Sequence, residues 1–187
     1  GQDADEGTIN GNPVLSIKDN GGTVIHVLSV GFAVSETVSG SVDRSVRFPR
    51  MQSHTGEHIL SGVVHSVFGY DNVGFHMGKD CVTVDYNGTF SDEEYAMLEE
   101  KVNEVIASNL PVTIEFMDKE KAAAIVDLSK LPEDASETLR IVHVGEYDDC
   151  ACIGAHVKNT SEIGTFKILS HDFTDGLWRV RWKVVER

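Results

Sequence analysis

Two short stretches carry the residue types that do chemistry. In Gln52-Ser53-His54-Thr55-Gly56-Glu57-His58-Ile59-Leu60, His54 and His58 stand four residues apart at the head of an apolar run. On a helix that interval stacks both imidazoles on one face, one turn apart. In Cys150-Ala151-Cys152-Ile153-Gly154-Ala155-His156-Val157 the same interval separates Cys152 from His156, here among small residues that suit a loop. One thiolate and three imidazoles form a donor set that suits zinc, so His54, His58, Cys152 and His156 are the predicted metal ligands.

These residues need elements to hold them. A helix is predicted over 51–68, with Ile59, Leu60, Val63, Val64 and Val67 as its buried stripe and Gly69 as its stop. A strand over 140–144 leads into the cysteine loop. Ahead of the helix, strands over 13–18 and 23–28 flank the turn Asp19-Asn20-Gly21-Gly22, and further β-like pieces cover 30–34 and 38–43. The predicted fold is therefore α+β and two-lobed: a small, barrel-like β-lobe over 1–46 and a zinc-bearing α+β domain over 47–187.

Within the second part, two strands are expected over 73–86 around Gly78-Lys79-Asp80. A helix over 91–108 should open on the capping box of Ser91 and Glu94. A strand over 111–116, a short helix over 119–126, a surface loop over 128–138 and strands over 163–169 and 177–185 complete the chain. The last strand alternates Trp178, Val180, Trp182 and Val184 with Arg179, Arg181 and Lys183. One face is apolar and the other is a basic ladder, which fits either a solvated sheet face or a phosphate-contacting surface. His26, His65, His76 and Cys81 have no ligand spacing and are assigned to packing or surface.

The chain has 187 residues, 41% hydrophobic and 25% charged, the balance of a globular protein. No apolar run approaches the roughly 20 residues of a membrane span, and no signal-peptide pattern opens the chain, whose polar, Met-less start reads as processed or truncated. Three cysteines cannot all pair, which points to a reducing, cytoplasmic setting. A formal net charge of −14 argues against DNA and other broad polyanion binding, but leaves room for a local basic patch.

The segment His54-Thr55-Gly56-Glu57-His58, followed by Cys152-Ile153-Gly154-Ala155-His156-Val157, resembles the paired zinc motifs of the alanyl-tRNA synthetase editing domain. The freestanding AlaX proteins and the threonyl-tRNA synthetase editing domain share those motifs. Arg140-Ile141-Val142-His143-Val144-Gly145 before the cysteine motif, and Thr160 to Ile168 after it, are similar to that family too. The family's Gly-Gly-Thr between Cys and His is here Ile153-Gly154-Ala155. The resemblance implies a Zn²⁺-dependent aminoacyl-tRNA deacylase that removes serine or glycine from the CCA end of tRNA of alanine identity. It makes Thr55, Gln52 and Glu57 the candidate catalytic side chains: Thr55 to help choose the amino acid, and Glu57 either to act on water or to face solvent. Arg179, Arg181 and Lys183 become candidate tRNA contacts.

Two competing classes are expected to behave differently. A noncatalytic, zinc-stabilised tRNA- or partner-binding module would keep the metal and cleave nothing. A metalloprotease is suggested by the H-x-x-E-H form of the first motif, but it needs a distal ligand such as Glu133 or Glu137 and leaves Cys152 and His156 unexplained.

Overall fold

The computed structural model describes residues 3–129, 131 and 135–185. Its contacts divide the chain into two compact units, one running to Pro49 and the other from Arg50 onward.

In the first unit, β1 (Gly7–Ile9) pairs with β2 (Asn12–Pro13) and with β5 (Gly40–Val42), antiparallel in both cases. Strands β3 (Ser16–Asn20) and β4 (Thr23–Val27) form a separate hairpin around Gly21 and Gly22, both at positive φ. The expected strand over 30–34 is absent: those residues are irregular, with Val34 98% exposed. An apolar run without a partner strand or a core face gains nothing from extending. Among the described residues the unit has two small sheets and no closed barrel.

Helix α1 (Arg44–Phe68) begins seven residues before the expected start and contains Pro49. Asp43 makes this possible, since its carboxylate accepts from the Ser45 backbone N–H at 2.8 Å. An interior proline costs about 3 kcal/mol. Ile59, Leu60, Val63 and Val64 are buried, each contributing about 1.5–3 kcal/mol, and they outweigh it. Val67, expected in that stripe, is 44% exposed. Every residue from His54 to Leu60 is buried, so this part of the helix is enclosed on all sides.

A four-stranded antiparallel sheet runs β11-β12-β7-β6, built from β6 (Asn72–Met77), β7 (Val82–Tyr86), β11 (Thr165–Thr174) and β12 (Leu177–Val185). Trp178, Val180 and Trp182 are buried as the alternation requires. Strand β11 runs on through His171 to Thr174, beyond its expected end, because each of those residues pairs with β12. Helix α2 (Asp92–Ala107) carries the expected capping box, and Asn103 ties it to β11 by bonds to Phe166 N and O at 2.9 Å.

The third element group is an antiparallel sheet ordered β10-β9-β8, from β8 (Val112–Asp118), β9 (Thr138–Val144) and β10 (Asp148–Ala151). One of its faces packs Met117, Leu139 and Ile141 against Ala122 and Val126. The helix expected over 119–126 is only one turn, α3 (Lys119–Ala122), followed by turns. The Cys152–His156 segment leaves β10 as a loop and ends at a 3₁₀ turn, Thr160–Glu162.

Candidate metal centre

Helix α1 and the loop after β10 bring His54, His58, Cys152 and His156 together, with one ligating atom from each lying within 4.8 Å of the others. The Cys152 Sγ lies 3.4 Å from His54 Nε2 and 3.5 Å from His156 Nε2. A tetrahedron with zinc–nitrogen and zinc–sulfur bond lengths has edges of roughly 3.4–3.6 Å. His54, His58 and His156 are each less than a tenth exposed.

Each imidazole is held in one tautomer by what its Nδ1 meets. His58 Nδ1 donates to Asp148 at 2.6 Å, and His54 Nδ1 donates to the Ala155 carbonyl at 3.3 Å. His156 Nδ1 donates to Thr55 Oγ1 at 3.1 Å, while that hydroxyl donates to the Met51 carbonyl and accepts from Val157 N–H. With every Nδ1 so engaged, the three Nε2 atoms turn toward the Cys152 sulfur. Donor atoms gathered this closely share a cation, either a proton or a metal ion. The residues therefore fit a metal ion and could hold one.

The electrostatics agree. Burial opposes ionisation of Cys152, but hydrogen bonds from His156, His54 and His58 prevail and pull its thiol down to about 3. Burial pushes His156 down to about 4. Burial also works against a charged His58, yet its bonds to Asp148 and Cys152 and the negative charges of Glu57 and Asp148 raise it well above the ordinary range. Cys150, by contrast, is pushed up by burial to about 11 and stays a thiol.

A cavity of about 690 Å³ opens beside the cluster, lined by His54, His58 and Cys152 among others. Of the three candidate catalytic residues, only Glu57 reaches it. It does not face solvent from the far side of the helix: it is 7% exposed, and its Oε1 accepts from Ser61 Oγ and Asn72 Nδ2, each at 2.6 Å. Thr55 is fully buried behind His156, and Gln52 donates to the Glu162 carbonyl at 2.7 Å, fastening the helix to the 3₁₀ turn. Arg140 braces the metal loop by donating to the carbonyls of Cys152 and Gly154.

Asp148 is the functional position that motif spacing misses. Strand alternation could have found it, because residues 148, 150 and 152 fall on one face of a short extended run. The basic ladder is largely neutralised: Arg179 grips Asp85 with two bonds of 2.7 Å, and Arg181 pairs with Asp172. Lys183 is exposed and makes no ion pair among the described residues. Of the protease ligands, Glu137 has a 91% exposed side chain paired with Lys119, and Glu133 lies outside the described residues.

A mixed α/β protein built around a buried His₃Cys cluster is the class that fold and site define. Residues 139–181 match the family model described as the threonyl and alanyl tRNA synthetase second additional domain. The chain is 33% identical over 190 residues to the alanyl-tRNA editing protein AlaX-L of Pyrococcus horikoshii, covering 97% of this chain and 47% of that one. It is 32% identical over 171 residues to the alanyl-tRNA editing protein Aarsd1 of Danio rerio, covering 90% and 42%. With an alanine–tRNA ligase of Exiguobacterium sibiricum it shares 34% identity over 182 residues, covering 91% of this chain and 21% of the ligase. The chain is thus similar to the AlaX-type alanyl-tRNA editing proteins, and its residues 139–181 carry the domain shared by threonyl- and alanyl-tRNA synthetases. It spans less than half the length of each of these two editing proteins.

Proposed function

We propose that this chain is a zinc-dependent deacylase acting in trans on misacylated tRNA, with seryl- or glycyl-tRNA of alanine identity as substrate. The observation that carries this is the His54, His58, Cys152 and His156 cluster opening onto a cavity large enough for an aminoacyl group. The names of its relatives support the same substrate class. The activity is assigned to residues 47–187, with 1–46 as an accessory lobe, and three free cysteines favour a cytoplasmic setting. No helix among the described residues is long and apolar enough to cross a membrane.

Bound zinc would supply Lewis-acid polarisation of the ester or of a water. The chain's own residues supply position. Asp148, Thr55 and the Ala155 carbonyl hold the three imidazoles with Nε2 toward the centre, Arg140 braces the loop, and Glu57 stands on the cavity wall where it can touch substrate. Among the described residues Lys183 makes no ion pair and is exposed, whereas Arg179 and Arg181 would have to exchange Asp85 and Asp172 for phosphate.

Four protein ligands saturate a tetrahedral ion, and this favours one second reading, a noncatalytic zinc-stabilised module. Deacylation of seryl-, glycyl- and alanyl-tRNA of alanine identity separates the two, run on wild type and Cys152→Ala with bound zinc quantified. Loss of cleavage together with zinc supports the deacylase. Stoichiometric zinc with none of the three esters cleaved sinks it and leaves the module.

A further inference from the structure

The described wall of the cavity beside the cluster is rich in carboxylates. Its described lining includes Glu57, Asp71, Asp127, Asp148 and Asp149, and no lysine or arginine. Such a wall disfavours phosphate and favours a cation. Three of the carboxylates already hold a histidine: Asp71 holds His65 at 3.0 Å, Asp148 holds His58 at 2.6 Å, and Asp149 holds His143 at 2.6 Å.

Glu57 differs from them. It is buried, and both donors to its Oε1, Ser61 Oγ and Asn72 Nδ2, are neutral. They fix the carboxylate in place through Oε1 alone. Its Oε2 has no hydrogen-bond donor among the described residues. A fixed carboxylate whose second oxygen takes no hydrogen bond from the described residues, on the wall of an acidic cavity, is completed by a cationic donor entering from that cavity.

An aminoacyl ester presents one such group, the α-ammonium, two bonds from the ester carbonyl carbon. We propose that Glu57 binds this ammonium and makes the site specific for free-amine aminoacyl esters, excluding N-acylated ones. Ser61 and Asn72 are then positioning residues, holding Oε1 so that Oε2 is left for the substrate. The proposal rests on the deacylase reading and deepens it: acylating the amine removes the charge and adds bulk, so the carboxylate would be buried against a neutral group.

The test compares seryl-tRNA with N-acetyl-seryl-tRNA, both of alanine identity, on wild type and on Glu57→Gln. Binding of the two corresponding amide-linked, uncleavable seryl-adenosines is measured by calorimetry, and zinc content is determined for each protein. Wild type should cleave and bind the free-amine form at least about tenfold better, the loss expected for one charge-assisted hydrogen bond. Glu57→Gln keeps an oxygen for Ser61 and Asn72 to donate to, and it should lose most of that preference with its zinc unchanged. The proposal fails if wild type treats both forms alike, if Glu57→Gln retains the preference, or if the variant loses its zinc. Equal cleavage of both forms would remove only the role of Glu57. Neither cleavage nor binding of either form by wild type would overturn the deacylase reading and this assignment together.

Discussion

Around the four clustered side chains, the groups that decide the chemistry are those one bond further out. Asp148 both orients His58 and raises its pKa. Asp148→Asn should therefore weaken metal affinity about 10–100-fold, measured by competition with a chelator. The metal-free thiol of Cys152 and imidazole of His156 are pulled down to about 3 and about 4, whereas the bonds to Asp148 and Cys152 make His58 hold its proton more tightly than an ordinary imidazole. Metal binding should then release a proton from His58, as read by calorimetry in buffers of differing ionisation enthalpy. Affinity should fall as pH drops, because the metal must displace that proton. Thr55 has a different weight. Thr55→Val would leave Val157 N–H and His156 Nδ1–H buried without acceptors, and denaturant unfolding should report a loss of about 2 kcal/mol.

Helix α1 was legible as an element because its apolar spacing is regular, and its histidine pair was legible with it. Its start was not: Pro49 reads locally as a breaker, and only the burial of Ile59 to Val64 explains why the helix continues through it. Strand β10 went unseen because its four residues, Asp148 to Ala151, are polar or small, and pairing with β9 rather than propensity makes them extended. The helix predicted over 119–126 stops at Ala122 because Ala123, Ala124 and Ile125 are exposed and offer a longer helix no packing face. The loop after β10 is tight enough to be tested directly. A methyl group at Gly154 would lie 2.1 Å from His54 Cε1, so Gly154→Ala must push the imidazole or the loop aside. The variant should keep its far-ultraviolet circular dichroism and lose most of its bound metal.

Across the whole molecule, charge constrains how a polyanion can be met. The chain carries a formal net charge of −14, and two of the three ladder cations are engaged by Asp85 and Asp172. The alternation of β12 was visible in the sequence, but its neutralisation was not, since Asp85 lies 94 residues from Arg179. Binding of a tRNA acceptor-stem fragment should accordingly show a log–log salt slope shallower than about −2, the mark of few phosphate contacts. The distance in the chain between the two halves of the cluster has a further consequence. His54 and Cys152 are separated by 98 residues, so an ion shared between them is a removable cross-link closing most of the second unit into a ring. In the chain-entropy model a covalent closure of about that length restricts the unfolded ensemble by about 4–5 kcal/mol. Chelation should then lower the melting temperature by on the order of 10 °C. A cell short of that metal would hold this chain in a less stable folded state, and the abundance of the chain would fall with the metal supply.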